Sequence, residues 1–344
     1  MKLARRLLYL GYYFRHMNWP MLRRFMRHTK HRDGIGNARQ VFAFTSDSLR
    51  YNVSPLEWYQ FGFPALTPEE KATWAGTGTM YEFQLRANPP EHRSMLSDKR
   101  AFYRSYREFF RHSLWTLDEL EHDPSLVERI LSDHERLVFK DASGNCGTSV
   151  EIHRSRDLEA GTLTDWMKSR GFDMVEAFVE QHTDLQALSP SGVNTVRIFT
   201  LVDEAGNYRI LGCRLRISVD SHVDNLAAGN LAASVDKSTG AVDGPGVYSN
   251  ITRQPESVHP VTGTQIEGFR IPFWSETLDL VRRASLKHLQ NRSIGWDVVI
   301  TPEGPGLIEG NHDWCKLVWQ LPVRQGLKPL LKSPKRAGAA PDEI

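Results

Sequence analysis

From residue 136 onward the chain is written largely in short β-branched runs that alternate with Gly-rich turns, and this limits its fold more than any other feature. The runs are RLVFK at 136–140, TSVEI at 148–152, TVRIFTLV at 195–202, YRILGCRLRISV at 208–219, WDVVIT at 296–301 and GLIEG at 306–310. Stretches of this length, rich in β-branched residues and bounded by glycine, read as strands. Connections as short as EAGN at 204–207 and the turn around Glu303-Gly304 suit antiparallel neighbours, because parallel strands need a long crossover. Helical patterns interrupt the runs at about 162–170 and 275–290. Earlier, Phe102, Tyr106, Phe109 and Phe110, then Leu117, Leu120, Leu126, Val127, Ile130 and Leu131, recur at helical spacing. The expectation is an α+β protein whose later half is mostly antiparallel hairpins.

The start of the chain has a different texture. Residues 33–95 mix turn pairs such as Asp33-Gly34 and Asn88-Pro89 with aromatic clusters, which predicts helices and loops. Residues 1–32 carry Lys2, Arg5, Arg6, Arg15, Arg23, Arg24, Arg27, Lys30 and Arg32 and no acid, although the whole chain has a net charge of only +2. Two readings stand: basic amphipathic helices that touch a membrane surface or a partner, or a helical cap on the protein's own body with its arginines in water. The near-neutral balance and the lack of an RNA-binding motif argue against a nucleic-acid partner. No apolar run reaches the ~20 residues that span a bilayer. Leu7, Leu8, Tyr9 and Leu10 are soon followed by Arg15 and His16 with no small-residue cleavage site, so no signal peptide is expected. Three scattered cysteines form neither a disulfide framework nor a zinc site. The expected location is the cytoplasm, at the inner membrane surface if the basic segment is used there.

Four constellations carry chemistry. In WDVVITPEGPGLIEGN, folding at the turn sets Asp297 opposite the Glu309–Asn311 region, and strand alternation puts Glu309 and Asn311 on one face. Two carboxylates and an amide oxygen suit Mg²⁺, though a solvated acidic hairpin would look the same. On the hairpin before it, Arg214 and Arg216 share a face and Arg197 lies across from them. Such arginines need anions between them: phosphate oxygens, which guanidinium matches two at a time, or acids from elsewhere in the chain. In VFKDASGNCGTSVEI, Lys140 ends a strand before a small-residue loop containing Ser143, Gly144 and Gly147, where backbone N–H groups can approach a phosphate; an ordinary hairpin reads alike. Finally FDMVEAFVEQH gives an apolar extended segment that could offer its backbone to a flat ring or be a plain buried strand.

The order of these elements resembles the ATP-grasp superfamily: lysine with a small-residue loop, an E-x-x-[VIL] segment, arginine strands, then D…E-x-N. VNTVRIFT, DNLAAGN, ASVDKSTGAV, HPVTG, GFRIPFW and GWDVVITPEGPGLIEGN resemble one branch of it, the sugar-transfer associated ATP-grasp family, over about Lys99 to Asn311. The resemblance implies two α+β lobes with ATP between them, preceded by a mostly helical region. The corresponding boundaries are 1–95 for that region, 96–185 and 186–325 for the lobes, and a structureless tail at 326–344. It also implies roles. Lys99 and Lys140 would reach the α- and β-phosphates beneath the loop of Ser143, Gly144 and Gly147. Glu176, Ala177 and Val179 would form the adenine hinge. Arg197 and Arg216 would hold the transferred phosphoryl, with Asn225 on the substrate side. Asp297, Glu309 and Asn311 would be the Mg²⁺ ligands. Two departures stand out: the loop SGNCGTS lacks the family's extra lysine, and DNLAAGN ends in Asn230 where the family has glycine.

The implied activity is an ATP- and Mg²⁺-dependent ligase that joins a carboxylate to an amine or thiol through an acyl phosphate, in polysaccharide or surface-glycan biosynthesis. Such chemistry needs no protein nucleophile, and the sequence shows no Ser/His/Asp or Cys/His pattern; Cys146 reads as a passive loop residue. Two alternatives are a phosphotransferase that stops at a phosphorylated product and a non-catalytic, nucleotide-bound scaffold.

Overall fold

The computed structural model describes residues 2–142, 150–222 and 224–332. The chain opens with helices α1 (Lys2–Arg15), α2 (Trp19–Asp33), α3 (Asn37–Tyr51), α4 (Pro55–Gln60), α5 (Pro68–Ala72) and α6 (Thr77–Ala87). Their ends follow local chemistry. Ser54 and Glu57 close a capping box on α4, and Gly34 takes φ +70° to end α2. Two further helices, α7 (Ser94–Ser97) and α8 (Lys99–Tyr106), lead to the first sheet, with Asp98 capping α8 through the N–H groups of Arg100 and Ala101.

The first lobe is a four-stranded antiparallel sheet in the order β1-β4-β2-β3. Its strands are β1 (Leu114–Thr116), β2 (Arg136–Lys140), β3 (Val150–Arg154) and β4 (Met174–Ala177). Alternation decides its faces. Leu137, Phe139 and Val175 pack against Leu120, Val127 and Ile130 of α9 (Leu117–His122) and α10 (Pro124–Asp133), and against Leu163 and Met167 of α11 (Leu163–Arg170). Lys140 and Glu176 therefore share the opposite face, which explains how a lysine can end a strand with a buried core. β1 lies in a stretch whose spacing predicts helix; its three residues pair with β4 and are too few to impose a period of two.

After α12 (Thr183–Leu188), a second sheet forms from β5 (Val196–Val202), β6 (Tyr208–Ile217), β7 (Leu231–Val235), β8 (Gly295–Thr301) and β9 (Gly304–Asn311), in the order β7-β6-β5-β8-β9, all antiparallel. The β5–β6 turn is held by Asp203, whose Oδ1 accepts from the N–H groups of Ala205 and Asn207 at 2.9 Å each, while Gly206 adopts φ +81°. One face packs Ile198, Leu215, Trp296 and Val298 against α13 (Trp274–Lys287). Trp296 Nε1 finds Thr200 and Ser285 hydroxyls at 3.0 Å, so this large ring leaves no buried donor unpaired.

The other face has two characters. Phe199, Leu201 and Leu211 lie under Phe25, Phe44, Trp58 and Phe83 of the N-terminal helices and under Trp314 and Trp319, the latter on α14 (Lys316–Gln320). Thus residues 1–95 are not set apart from the second lobe: they share its core. Lys316 on α14 fastens the arrangement by pairing with buried Glu57 at 2.9 Å. Residues 326–332, expected to begin a structureless tail, also join this body. Lys328 N–H donates to Thr73 C=O at 2.8 Å and a short 3₁₀ helix spans Lys328–Leu331, because Leu327 and Leu331 have apolar surface to cover. Residues 333–344 lie outside the described residues. Beyond Phe199, towards the first lobe, the same face turns from aromatic to charged.

Candidate functional site

Register builds the charged end of that face. Arg214, Arg197, Asp297 and Glu309 are Cα partners in succession across β6, β5, β8 and β9, so their side chains form one row. The hairpin pairing expected for Asp297 and Glu309 is present, and Asn311 follows two residues on. The arginines, however, do not wait unpaired for phosphate. Arg197 grips Asp297 with Nε on Oδ1 and Nη2 on Oδ2, the second bond at 2.6 Å. Arg216 Nη1 reaches Asp297 Oδ2 at 2.8 Å and its Nη2 reaches Asp224 Oδ1 at 2.6 Å. Arg214 turns away and donates to the Trp319 carbonyl. Of the two expected sources of anions, acids from elsewhere in the chain are the ones present. Asp297 stands directly opposite Arg197, and Asp224 arrives from the DNLAAGN loop, so the chain supplies its own counter-charges.

The electrostatics follow. Burial alone would raise the Asp297 carboxyl, but Arg197 and Arg216 outweigh it and hold the group far below the ordinary carboxylate range. Burial opposes the Arg216 charge, yet Asp224, Asp297 and Glu309 keep it firmly protonated. Glu309 differs. Burial and the adjacent Asp297 charge push its carboxyl up, and Arg197 is 4.0 Å away. Its Oε1 accepts from Asn311 Nδ2 at 3.0 Å, and 36% of the side chain remains open to solvent. Two guanidinium groups thus face three carboxylates, and the surplus negative charge sits on Glu309 beside Asp297. That surplus is what a divalent cation would offset, so Asp297, Glu309 and Asn311 fit Mg²⁺ as a donor set. Asp297 already accepts three hydrogen bonds, which leaves Glu309 as the more available ligand.

On the first sheet, Lys140 is ion-paired with buried Glu176, on the face opposite Leu137, Phe139 and Val175. Burial would raise the Glu176 carboxyl, but Lys140, His112 and Lys99 draw it below its usual range. Lys99, at the start of α8, points its Nζ towards the Ala142 carbonyl at 3.4 Å, so both predicted lysines stand where the small-residue loop begins. Ser143, Gly144 and Gly147 of that loop, and Cys146, lie outside the described residues. In the expected hinge segment the backbone already has partners at two positions. The Glu176 side chain serves Lys140, the Ala177 N–H donates to Ser113 C=O at 3.0 Å, and the Phe178 N–H donates to Arg136 C=O at 3.2 Å. Chain crossing to the second lobe follows at once: His182 N–H bonds Ile300 C=O at 2.7 Å.

Beside this crossing lies a cavity of about 610 Å³, lined by Tyr103, His112, Ala177, Val179, Pro302 and Glu303 among others. It joins the hinge to the β8–β9 turn, and it is large enough for a nucleoside. Lys140, Asp297 and Arg197 do not line it, so the phosphate and metal candidates are grouped apart from it. His112 is a residue that sequence patterns missed. Its side chain is only 3% exposed, both ring nitrogens lack a hydrogen bond, and Nε2 is 3.7 Å from Glu176 Oε2. Burial pushes its pKa down.

Asn225 is placed structurally as well. Its Oδ1 caps the short helix Leu226–Ala228 through Ala227 N–H at 3.0 Å, next to Asp224. Asn230, the departure from glycine, is buried and clamps the loop: Oδ1 accepts from Val219 N–H at 2.7 Å and Nδ2 donates to Asn225 C=O at 3.0 Å. Asp224 was overlooked beside Asn225, although an acid opening a loop after an arginine strand was the available signal.

A family model described as sugar-transfer associated ATP-grasp matches residues 79–336. The chain belongs to that family. Its fold is accordingly the ATP-grasp fold, here with two antiparallel sheets and N-terminal helices. Among solved structures, this ATP-grasp protein is similar to D-cycloserine synthetase DcsG at 12% identity and TM-score 0.42, covering 81% of this chain and 82% of that one. It is also similar to D-alanyl-alanine synthetase A from Vibrio cholerae at 11% identity and TM-score 0.38, covering 64% and 56%. A third is the biotin carboxylase of Campylobacter jejuni, at 13% identity and TM-score 0.40, covering 68% and 47%. The chain thus spans about half the length of the last two. A search of curated proteins gave no match.

Proposed function

We propose that the chain is an ATP- and Mg²⁺-dependent ligase that activates a carboxylate as an acyl phosphate and passes it to an amine or thiol, in the assembly of a surface glycan. The observation that supports it best is the buried row Arg197–Asp297–Glu309 with Arg216 alongside. It sets guanidinium groups beside an acid edge with surplus negative charge, the two chemistries that phosphoryl transfer requires.

In this reading Lys140 exchanges Glu176 for nucleotide phosphate, with Lys99 beside it. Asp297, Glu309 and Asn311 would hold Mg²⁺, which when bound supplies charge compensation at the β- and γ-phosphates. Arg197 and Arg216 turn from Asp297 towards the phosphoryl oxygens, where their value grows as charge spreads in the transition state. A substrate carboxylate oxygen bonds to the γ-phosphorus as the bond to the β-bridging oxygen breaks, releasing ADP. The amine or thiol then bonds to the acyl carbon, and inorganic phosphate leaves. The hinge cavity would receive the base.

Arginines already neutralised by acids favour a second reading, a nucleotide-bound scaffold in a glycan-assembly complex. One series of measurements separates the readings. Mg-ATP is expected to raise the Tm, since a ligand that binds only the folded chain stabilises it, and Lys140→Ala to shrink the rise. Sustained ADP release over many turnovers is expected only when a carboxylate and an amine or thiol are both present. No thermal shift with ATP in the millimolar range would reject nucleotide use. A shift without ADP release would favour the scaffold, and sustained ADP release with the carboxylate alone would favour a phosphotransferase.

A further inference from the structure

The first two helices present a surface that the ATP-grasp chemistry does not use. α1 is pinned by its inward side. Gly78 N–H donates to Tyr13 Oη at 3.0 Å, Tyr13 Oη donates to Asn52 Oδ1 at 3.0 Å, and Tyr9 Oη donates to Glu82 Oε1 at 3.2 Å. With residues 9 and 13 inward, the 3.6-residue period turns Leu8, Tyr12 and Arg15 outward. Leu8 is 75% exposed, and Leu7 and Tyr12 are more than half exposed. α2 buries Leu22, Phe25 and Thr29 and turns out Trp19, Arg23, Arg27 and Lys30, a stripe at i, i+4, i+8 and i+11. The two helices meet where the Phe14 and Trp19 rings stack with centroids 6.0 Å apart. On the neighbouring α3, Phe42 is 77% exposed.

The charges on this surface are as one-sided as its apolar groups are open. Residues 1–32 contain no Asp or Glu. Arg5 meets Glu82 at 3.5 Å and Arg32 meets Asp33, but Arg15, Arg23, Arg24, Arg27 and Lys30 are exposed and form no ion pair with a described acidic side chain. Nucleic acid or an acidic protein would satisfy the cations yet leave Leu7 and Leu8 in water. An anionic bilayer satisfies both: aliphatic side chains enter the acyl boundary, Tyr12 and Trp19 suit the headgroup level, and the cations meet lipid phosphates. No described helix is long and apolar enough to cross a membrane, so the contact lies on the surface. We infer that α1 and α2 dock the protein on an anionic lipid bilayer through Leu7, Leu8, Tyr12 and Trp19, with Arg15, Arg23, Arg27 and Lys30 holding the headgroups.

The test uses the full chain with vesicles of pure phosphatidylcholine and of phosphatidylcholine mixed with phosphatidylglycerol, read by flotation. Binding is expected to the mixed vesicles and to weaken as salt is raised. Leu7→Asp/Leu8→Asp and, separately, Arg23→Glu/Arg27→Glu are each expected to lower partitioning about tenfold or more, by removing the apolar anchor or reversing charge. These side chains are exposed, so the variants are expected to keep the wild-type Tm and its response to Mg-ATP. Equal binding to both vesicle types, no binding to either, or variants that bind as wild type would each overturn the proposal. The outcome is independent of whether ATP is turned over.

Discussion

Asp297→Asn removes an acid that two buried arginines share, and its cost can be worked from the geometry. Two unit charges about 4 Å apart interact by about 4 kcal/mol at an effective dielectric of about 20. Breaking a buried pair by removing one partner costs about 3–5 kcal/mol, because the remaining charge is left desolvated. Arg216 keeps Asp224 at 2.6 Å, so its loss is partial. Arg197 falls back on Glu309 at 4.0 Å, a longer contact to a more open side chain. The estimate therefore sits at the low end, about 3 kcal/mol, or roughly 4 °C in Tm for a chain of this size. Arg197→Met is expected to cost a similar amount, since Asp297 then retains only Arg216. The double variant is expected to be no worse than either single one, because removing both partners leaves neither charge of the pair buried and unpaired. Urea denaturation of the four proteins, compared at constant slope, measures the coupling. If the two single losses add to within about 0.5 kcal/mol in the double variant, the pair is not coupled and the reasoning fails.

Two further outcomes follow from the same charges. Glu309→Gln is expected to abolish ATP turnover while leaving Tm unchanged or slightly higher, because it removes a carboxyl that burial and Asp297 already push up; calorimetry beside an ADP assay would show it, and wild-type turnover would remove Glu309 from the site. Glu57→Gln tests the fastening between the N-terminal helices and α14. Burial alone would raise the Glu57 carboxyl, but Lys316, Thr77 and Ser54 hold it below its unfolded value. Its contribution is therefore full above about pH 4.3 and is lost as pH falls through the depressed folded value. The variant is expected to be less stable by about 3 kcal/mol at pH 7, with the gap closing in acid; a gap that is constant from pH 7 to pH 3 would refute the pairing.

The hairpin carrying Asp297, Glu309 and Asn311 was legible because it is local: a twelve-residue separation, a turn and a period of two decide which side chains share a face. The arginine face was legible for the same reason. What neutralises it was not, since Asp297 lies 100 residues from Arg197 and nothing local announces that β5 and β8 are neighbours. His112 carried no signal, since its burial depends on meeting Glu176, which is distant in sequence on β4. The shared core of the helical region left a trace that is readable in hindsight: in TVRIFTLV, Phe199 and Leu201 follow Arg197 on the same face, so that face had to be covered just past the charged row.

That shared core also decides where the molecule can be cut. The family match begins at residue 79, inside α6, which invites the view that the preceding helices are an optional extension. A chain trimmed to start there would lose Phe25, Phe44, Trp58, Tyr59 and Phe63 and uncover Phe199, Leu201, Trp314 and Trp319. Lys316 would be left without Glu57, and the segment at 326–332 without Thr73 to rest on. The border drawn by family likeness and the border drawn by foldability do not coincide in this protein: its smallest autonomous unit includes the helices that look most dispensable.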